Sequence, residues 1–299
     1  MSNVLVAALY KFVTVKDPPS LGQRLRQRCN SLEIYGTLVL ACEGINGTIA
    51  GAHDGLLTFI SELRSILGLH DLEPKFSVVA DQPFRRLKVH CKDEIVTMGV
   101  AGISPSTDAG TYLSPQQWNA MIASDDVLII DTRNDYEVQM GTFKNAVSPG
   151  TTTFREFPQY VRRDLGPHKQ KKVAMFCTGG IRCEKASAFM RGEGFSEVYH
   201  LQGGILNYLE TMPAQESLWQ GDCFVFDRRV AVDHALAPGQ HTICDQCQRP
   251  LNQEDRSSPF FEQDVCCPLC FGTLSEDDKR DLRARSRILR PVPDALRAR

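Results

Sequence analysis

The sequence predicts an α/β chain in three parts: a split sheet with helices on one face, a parallel strand–helix unit and a small cysteine-rich end. Three observations carry this. Residues 1–97 run through strand-like and helix-like patterns in the order βαββαβ. After a Gly-, Ser-, Thr- and Pro-rich stretch at 99–112, strands and helices alternate. Beyond Gly221 stand two C-x-x-C pairs separated by nineteen residues. A length of 299 residues suits two or three units. The formal net charge of −2 points to no partner, so any basic surface must be local. No apolar run is long enough to span a bilayer.

In the first part VLVAALYKF is a strand, and the N-terminus reads as that strand rather than as a signal peptide. Asp17 and two prolines open a helix with Leu21, Leu25 and Cys29 on one face. YGTLVLACEG and NGTIAG are the next strands. GLLTFISELRSILG is an amphipathic helix closed by glycine, and KFSVVA and FRRLKVHCK are strand-like again. The order is that of a ferredoxin-like sandwich. Residues 98–114 read as a linker. DVLIIDT, a helix near FREFPQYVRRDL, KKVAMFC, a helix from Cys183 through Met190, SEVYHLQ and GGILNYLETM then form a parallel α/β unit over 115–221. A cysteine-rich segment at 222–275 and an Arg-rich tail at 276–299 follow.

Ligands of parallel sheets bind at the carboxyl ends of strands. Cys177 sits at such an end, and TGGIR curls from it into a helix. Gly179 and Gly180 let the loop turn its N–H groups inward, where they stabilise an anion such as the thiolate itself. Arg182 adds a fixed positive charge. Four residues separate Cys177 from Arg182. The similar loop of cysteine-dependent phosphatases has five and cradles phosphate; the shorter spacing resembles single-domain rhodaneses, whose cradle suits sulfur. Asp131, Arg133, Glu137, Gly141 and Pro149 resemble the upstream rhodanese segment, and LQGGI at 201–205 its later turn. Where that segment usually has Gly-His-Ile, this chain has Gly141-Thr142-Phe143, without the histidine. The central part is therefore rhodanese-like. Cys183, six residues after Cys177, either resolves an oxidised or persulfidated Cys177 as a disulfide or simply fills space.

In FRRLKVHCK, alternation puts Arg86, Lys88, His90 and Lys92 on one face and Leu87, Val89 and Cys91 on the other. With Arg85 they are the candidate RNA-binding set; Phe84 and Tyr10 offer stacking surfaces, and Arg283, Arg285, Arg287 and Arg290 add charge. The bland alternative is a solvated sheet face, or one packed on the second domain through Asp and Glu. CDQC (244–247) and CPLC (267–270) have the spacing of a four-thiolate, zinc-ribbon-like site, so Cys244, Cys247, Cys267 and Cys270 are the candidate ligands of a structural zinc. Cys266 is a spare that blurs the assignment. With no export signal, the eleven cysteines are expected reduced, in a cytoplasm.

EGINGTIAG (43–51), PFRRLKVHCKDEIVTMG (83–99), DTRNDYEVQMGTFKNA (131–146), FCTGGIRCEKASAFM (176–190) and CFVFDRRVAVDH (223–234) together resemble the bacterial rhodanese-domain tRNA uridine hydroxylases, nearly end to end. The resemblance implies a cytoplasmic enzyme acting on tRNA, forming 5-hydroxyuridine at the wobble position with molecular oxygen as co-substrate. It makes Cys177 the active-site residue. The candidate catalytic set is Cys177, Arg182, Cys183, Asp131 and Arg133. The sequence shows no flavin, haem or iron-oxygenase motif, and no organic cofactor is evident. One chemistry fits: the thiolate adds to C6 of uracil and raises electron density at C5. Two other readings stand beside it, a persulfide-carrying sulfurtransferase and a non-catalytic tRNA- or partner-binding module.

Overall fold

The chain opens with β1 (Val4–Phe12), α1 (Pro18–Ser31), β2 (Tyr35–Ala41), β3 (Gly44–Ala52), α2 (His53–Leu67), β4 (Lys75–Val79) and β5 (Leu87–Cys91). The computed structural model describes residues 3–289. The Asp17 carboxylate accepts from the Ser20 N–H at 3.0 Å and caps α1. Gly68 closes α2 in the left-handed region. Leu21, Leu25, Cys29, Phe59, Ile60 and Leu63 pack onto Leu5, Ala7, Leu9, Leu38 and Ile49 of the sheet, each large side chain contributing about 1.5–3 kcal/mol by leaving water. The strand order is β4-β1-β3-β2-β5. The first four follow the split βαββαβ pattern. The basic run adds a fifth strand, parallel to β2, at the edge.

The stretch 98–114 is not a free tether. It carries a short helix α3 (Pro105–Asp108), and the Gly110 N–H donates to Ser187 Oγ at 2.8 Å. It ends in β6 (Thr111–Leu113). Then come α4 (Pro115–Ile122), β7 (Val127–Asp131), α5 (Asp135–Val138), β8 (Gly141–Phe143), α6 (Phe157–Asp164), β9 (Lys172–Phe176), α7 (Ile181–Gly192), β10 (Val198–Leu201), α8 (Gly204–Thr211) and β11 (Trp219–Gly221). The parallel sheet has the order β6-β10-β9-β7. Phe143 stands edge-on to Phe176, Tyr208 and Trp219 at 4.9, 4.8 and 5.1 Å between centroids. In Gly-Thr-Phe that position is thus an aromatic core residue.

Residues up to Arg228, with Val232–Ala237, pack as one unit; Arg229–Ala231 and the described residues from Pro238 onward pack as another. The second unit has a two-stranded ladder, Thr242–Ile243 against Pro250–Leu251, and a helix Glu276–Leu289. The first half of the expected Arg-rich tail is therefore helical, and Arg283 pairs with Glu262 at 2.6 Å. Arg285 is exposed. Arg290 and the side chain of Arg287 lie outside the described residues. Among the described residues, no helix is long and apolar enough to cross a membrane.

Candidate active site and metal centre

Cys177 follows β9, and its sulfur accepts the Gly180 N–H at 3.1 Å. Gly180 has φ +100°, which lets the loop close, and a Cβ there would meet Tyr10 Oη at 2.8 Å. The N-terminus of α8 grips the loop from below: Ile205 N–H donates to the Cys177 carbonyl at 2.9 Å and Leu206 N–H to that of Thr178 at 3.0 Å. Gly204 allows this approach, since a Cβ would lie 2.5 Å from the Cys177 carbonyl oxygen. The turn motif LQGGI is thus part of the loop's support.

Burial raises the Cys177 pKa. The Cys183 thiol, the Arg182 guanidinium and the N–H groups of Cys183 and Gly180 outweigh it and bring the pKa down to about 6. Burial and the Cys177 thiolate push Cys183 well up, so it keeps its proton and donates it. Cys183 also contacts Thr132 Oγ1 at 3.5 Å.

Arg182 is committed to the loop. Its two terminal nitrogens bind Glu137 Oε2 and Oε1 at 2.6 and 2.7 Å, in a pair that is almost wholly buried. Burial raises the Glu137 pKa, and Arg182 with Arg133 outweighs it, leaving the carboxylate below its ordinary range. Changing Glu137 to glutamine leaves a buried guanidinium uncompensated. The expected loss is about 3–5 kcal/mol of stability, read as a drop in denaturation midpoint.

Two of the predicted catalytic residues bind each other. Asp131 and Arg133 are fully buried and close on each other at 2.6 and 2.8 Å, and Arg133 also donates to the carbonyls of Glu137 and Gly141. Their geometry fastens the segment that carries Glu137.

The sequence also places the thiol at an open strand mouth. The structure closes it: Cys177 is 0% exposed. Part of the cover comes from a distant strand. Tyr10 of β1 donates to Glu184 Oε1 of α7 at 2.7 Å, with its hydroxyl against Gly180. Beside it the buried Lys185 ammonium binds Glu43 at 2.8 Å, Glu94 at 2.5 Å and the Val96 carbonyl at 3.1 Å. Sequence reasoning missed Glu184, Lys185, Glu43 and Glu94 as loop supports. The only signal was that all four fall within the quoted segments.

Arg85, Arg86, Lys88, His90 and Lys92 are all exposed, while Val89 is buried. Arg86, Lys88 and His90 line a groove of about 510 Å³ with Arg26 and Asn30 of α1. Strand register places this stripe relative to the loop. Tyr10 pairs with Asn46, Asn46 with Val39, and Val39 with His90. Paired residues share a sheet face, so His90 and Lys88 lie on the same face as Tyr10, about 14 Å away across three strand spacings. Thr37, Val39, Asn46 and Thr48 between them are half-buried and form an open floor.

In the second unit the sulfurs of Cys244, Cys247, Cys267 and Cys270 all lie within 4.8 Å of one another. Three of the distances are 3.9, 3.6 and 3.7 Å. A tetrahedron with Zn–S bonds of about 2.3 Å has edges of about 3.8 Å, so the set fits a zinc ion. Cys266 turns its sulfur toward the Phe260 carbonyl at 3.7 Å and stands outside the cluster, which removes the ambiguity of the third thiol.

Residues 4–95 match the family described as the UPF0176 acylphosphatase like domain, and residues 114–211 match the rhodanese-like domain. The chain is 54% identical over 289 residues to the tRNA uridine(34) hydroxylase of Teredinibacter turnerae (strain ATCC 39867 / T7901), covering 97% of this chain and 88% of that protein. Among solved structures, a rhodanese-related protein from Thermoplasma volcanium is 20% identical with a TM-score of 0.28, over 34% of this chain and 95% of its own. An acylphosphatase from Coxiella burnetii is 10% identical with a TM-score of 0.24, over 30% and 94%. Structural likenesses of that size carry no argument about activity.

Proposed function

The chain belongs to the tRNA uridine(34) hydroxylase family, and on that premise we propose that it hydroxylates C5 of the wobble uridine in tRNA, with oxygen as co-substrate and Cys177 as the reacting group. The observation that carries this is the thiol itself, brought down to about 6 and set behind the same sheet face as the basic stripe. The thiolate adds to C6, and the electron pair of the C5–C6 double bond moves to C5, which bonds to oxygen. The Cys183 thiol protonates the C5 peroxide, and its sulfur takes the outer oxygen as a sulfenic acid, leaving one oxygen on C5. Loss of the C5 proton and expulsion of the Cys177 thiolate then restore the ring. The freed thiolate displaces the hydroxide of the Cys183 sulfenic acid, which leaves as water, and the resulting disulfide is reduced by cellular thiols. Asp131, Arg133, Glu137 and Arg182 act by positioning. Because Cys177 is buried, the Tyr10–Glu184 contact parts before a base can enter.

The edge strand with Arg85, Arg86, Lys88, His90 and Lys92 holds tRNA phosphates. The four-cysteine cluster binds zinc in a structural role, since four thiolates leave no open position. A tRNA substrate supports a cytoplasmic protein.

Mass spectrometry of tRNA nucleosides from cells lacking the protein, with and without the gene restored, tests the activity. The expected product is uridine plus one oxygen. Added sulfur instead of oxygen would establish the sulfurtransferase reading. Replacing Arg86 and Lys88 by glutamine should weaken tRNA binding uniformly across sequences and lower the slope of log affinity against log salt by about 2, in a filter-binding titration. An unchanged slope would leave that face as mere solvated surface.

A further inference from the structure

Among the described residues Phe226, 60% exposed, is the most exposed of the large apolar side chains. It is not isolated. Its ring stands edge-on to Phe224 at 5.0 Å, and Phe224 stands edge-on to Tyr136 at 5.3 Å. Tyr136 directly precedes Glu137, the partner of Arg182 in the Cys177 loop. Three rings thus run from the loop's buried ion pair to the surface. Two residues beyond Phe226, the Arg228 N–H donates to the Pro83 carbonyl at 3.3 Å. That contact sets the segment against the start of the basic run, where Arg85 and Arg86 are exposed, as Arg228 is.

We propose that Phe226 is a stacking platform for an unpaired anticodon-loop base beside the target uridine, with Arg228, Arg85 and Arg86 holding the flanking phosphates. A nucleic acid fits better than an apolar protein surface because cations flank the ring, and single-stranded RNA is held by such aromatic faces inside basic grooves. The rings beneath hold Phe226 in place, so little conformational freedom is lost when a base settles on it. Stacking on Phe226 leaves the neighbouring uridine free to turn toward the Cys177 loop.

This inference rests on the tRNA reading above, and its test separates the two. The full chain is titrated with an anticodon stem-loop RNA carrying uridine at the wobble position and 2-aminopurine next to it. Wild type should quench the 2-aminopurine. Phe226→Ala should abolish the quenching and raise KM by about 5- to 150-fold with kcat changed less than about threefold, and Phe226→Trp should restore both. Because Phe226 is largely exposed, the alanine variant should keep the wild-type melting temperature. Equal quenching and equal KM in wild type and Phe226→Ala would overturn the platform while leaving hydroxylation intact. Phe226-dependent quenching without hydroxylation by wild type would instead overturn the activity and keep the platform. A Phe226→Ala change in oligomeric state at unchanged KM would assign the ring to an interface between copies and overturn the proposal.

Discussion

Replacing Cys177 by serine should lower hydroxylation of wobble uridine by roughly 10⁴-fold or more, with the fold intact. The substitution is nearly isosteric, and a serine hydroxyl at this position still accepts the Gly180 N–H, so the loop keeps its shape. What it loses is the anion. A thiol brought down to about 6 is mostly thiolate at neutral pH, whereas an alcohol in the same cradle stays protonated. The pH dependence follows with a definite sign. The deprotonated form reacts, so the rate constant should be level above about pH 7 and fall as pH drops through about 6. Single-turnover assays on an anticodon stem-loop RNA read both effects. A serine variant within tenfold of wild type, or a rate indifferent to acid down to pH 5, would remove the sulfur from the chemistry. The cover over the loop sharpens the reading: since Cys177 is sealed, loop opening limits how fast a base arrives, and the pH profile must be taken under conditions where chemistry limits turnover.

How much of this was legible in the sequence depends on distance along the chain. Features set by neighbouring residues were readable. Asp17 with two prolines opens α1, Gly68 closes α2, and Cys177 to Cys183 span one strand end, one loop and one helix turn. The four-cysteine cluster was readable because each pair lies on one tight turn. Features set by pairs far apart were not. Glu137 and Arg182 are 45 residues apart, Lys185 and Glu43 are 142 apart, and Tyr10 and Glu184 are 174 apart. No periodicity links such positions; only folding brings them together. The closed thiol is the clearest consequence. Cys177 looked open because a strand end in a parallel sheet ordinarily is, while the Tyr10 hydroxyl over its loop arrives from a sheet whose own pattern ends by residue 97. Asp131 and Arg133 are partly legible for a related reason. Their motif is local, but the pairing of their side chains with each other is not written in it.

Removing one cluster cysteine should cost the second unit most of the stability that the proposed zinc gives it. Cys267 shows why. Its sulfur lies 3.6 Å from that of Cys247 and 3.7 Å from that of Cys270, so it touches both C-x-x-C turns at once. The apolar cluster around it is small, with Leu251 and Val265 as its buried aliphatic side chains and Phe261, Phe271, Leu274 and Leu282 packed partly against it. A core of that size supplies only a few kcal/mol, whereas zinc held by four thiolates supplies about 10–16 kcal/mol of folding free energy at neutral pH. With the zinc proposed for this cluster, Cys267→Ser should lose the metal, measured as metal content per chain, and expose the residues beyond Pro238 to rapid limited proteolysis while those up to Arg228 stay resistant. Cys266→Ser is the matched control, because that sulfur faces the Phe260 carbonyl and not the cluster; it should keep the metal and the resistance. A protease-resistant Cys267→Ser chain without metal would mean that the thiols merely pack, and that the 3.6–3.9 Å spacing reflects van der Waals contact among reduced sulfurs.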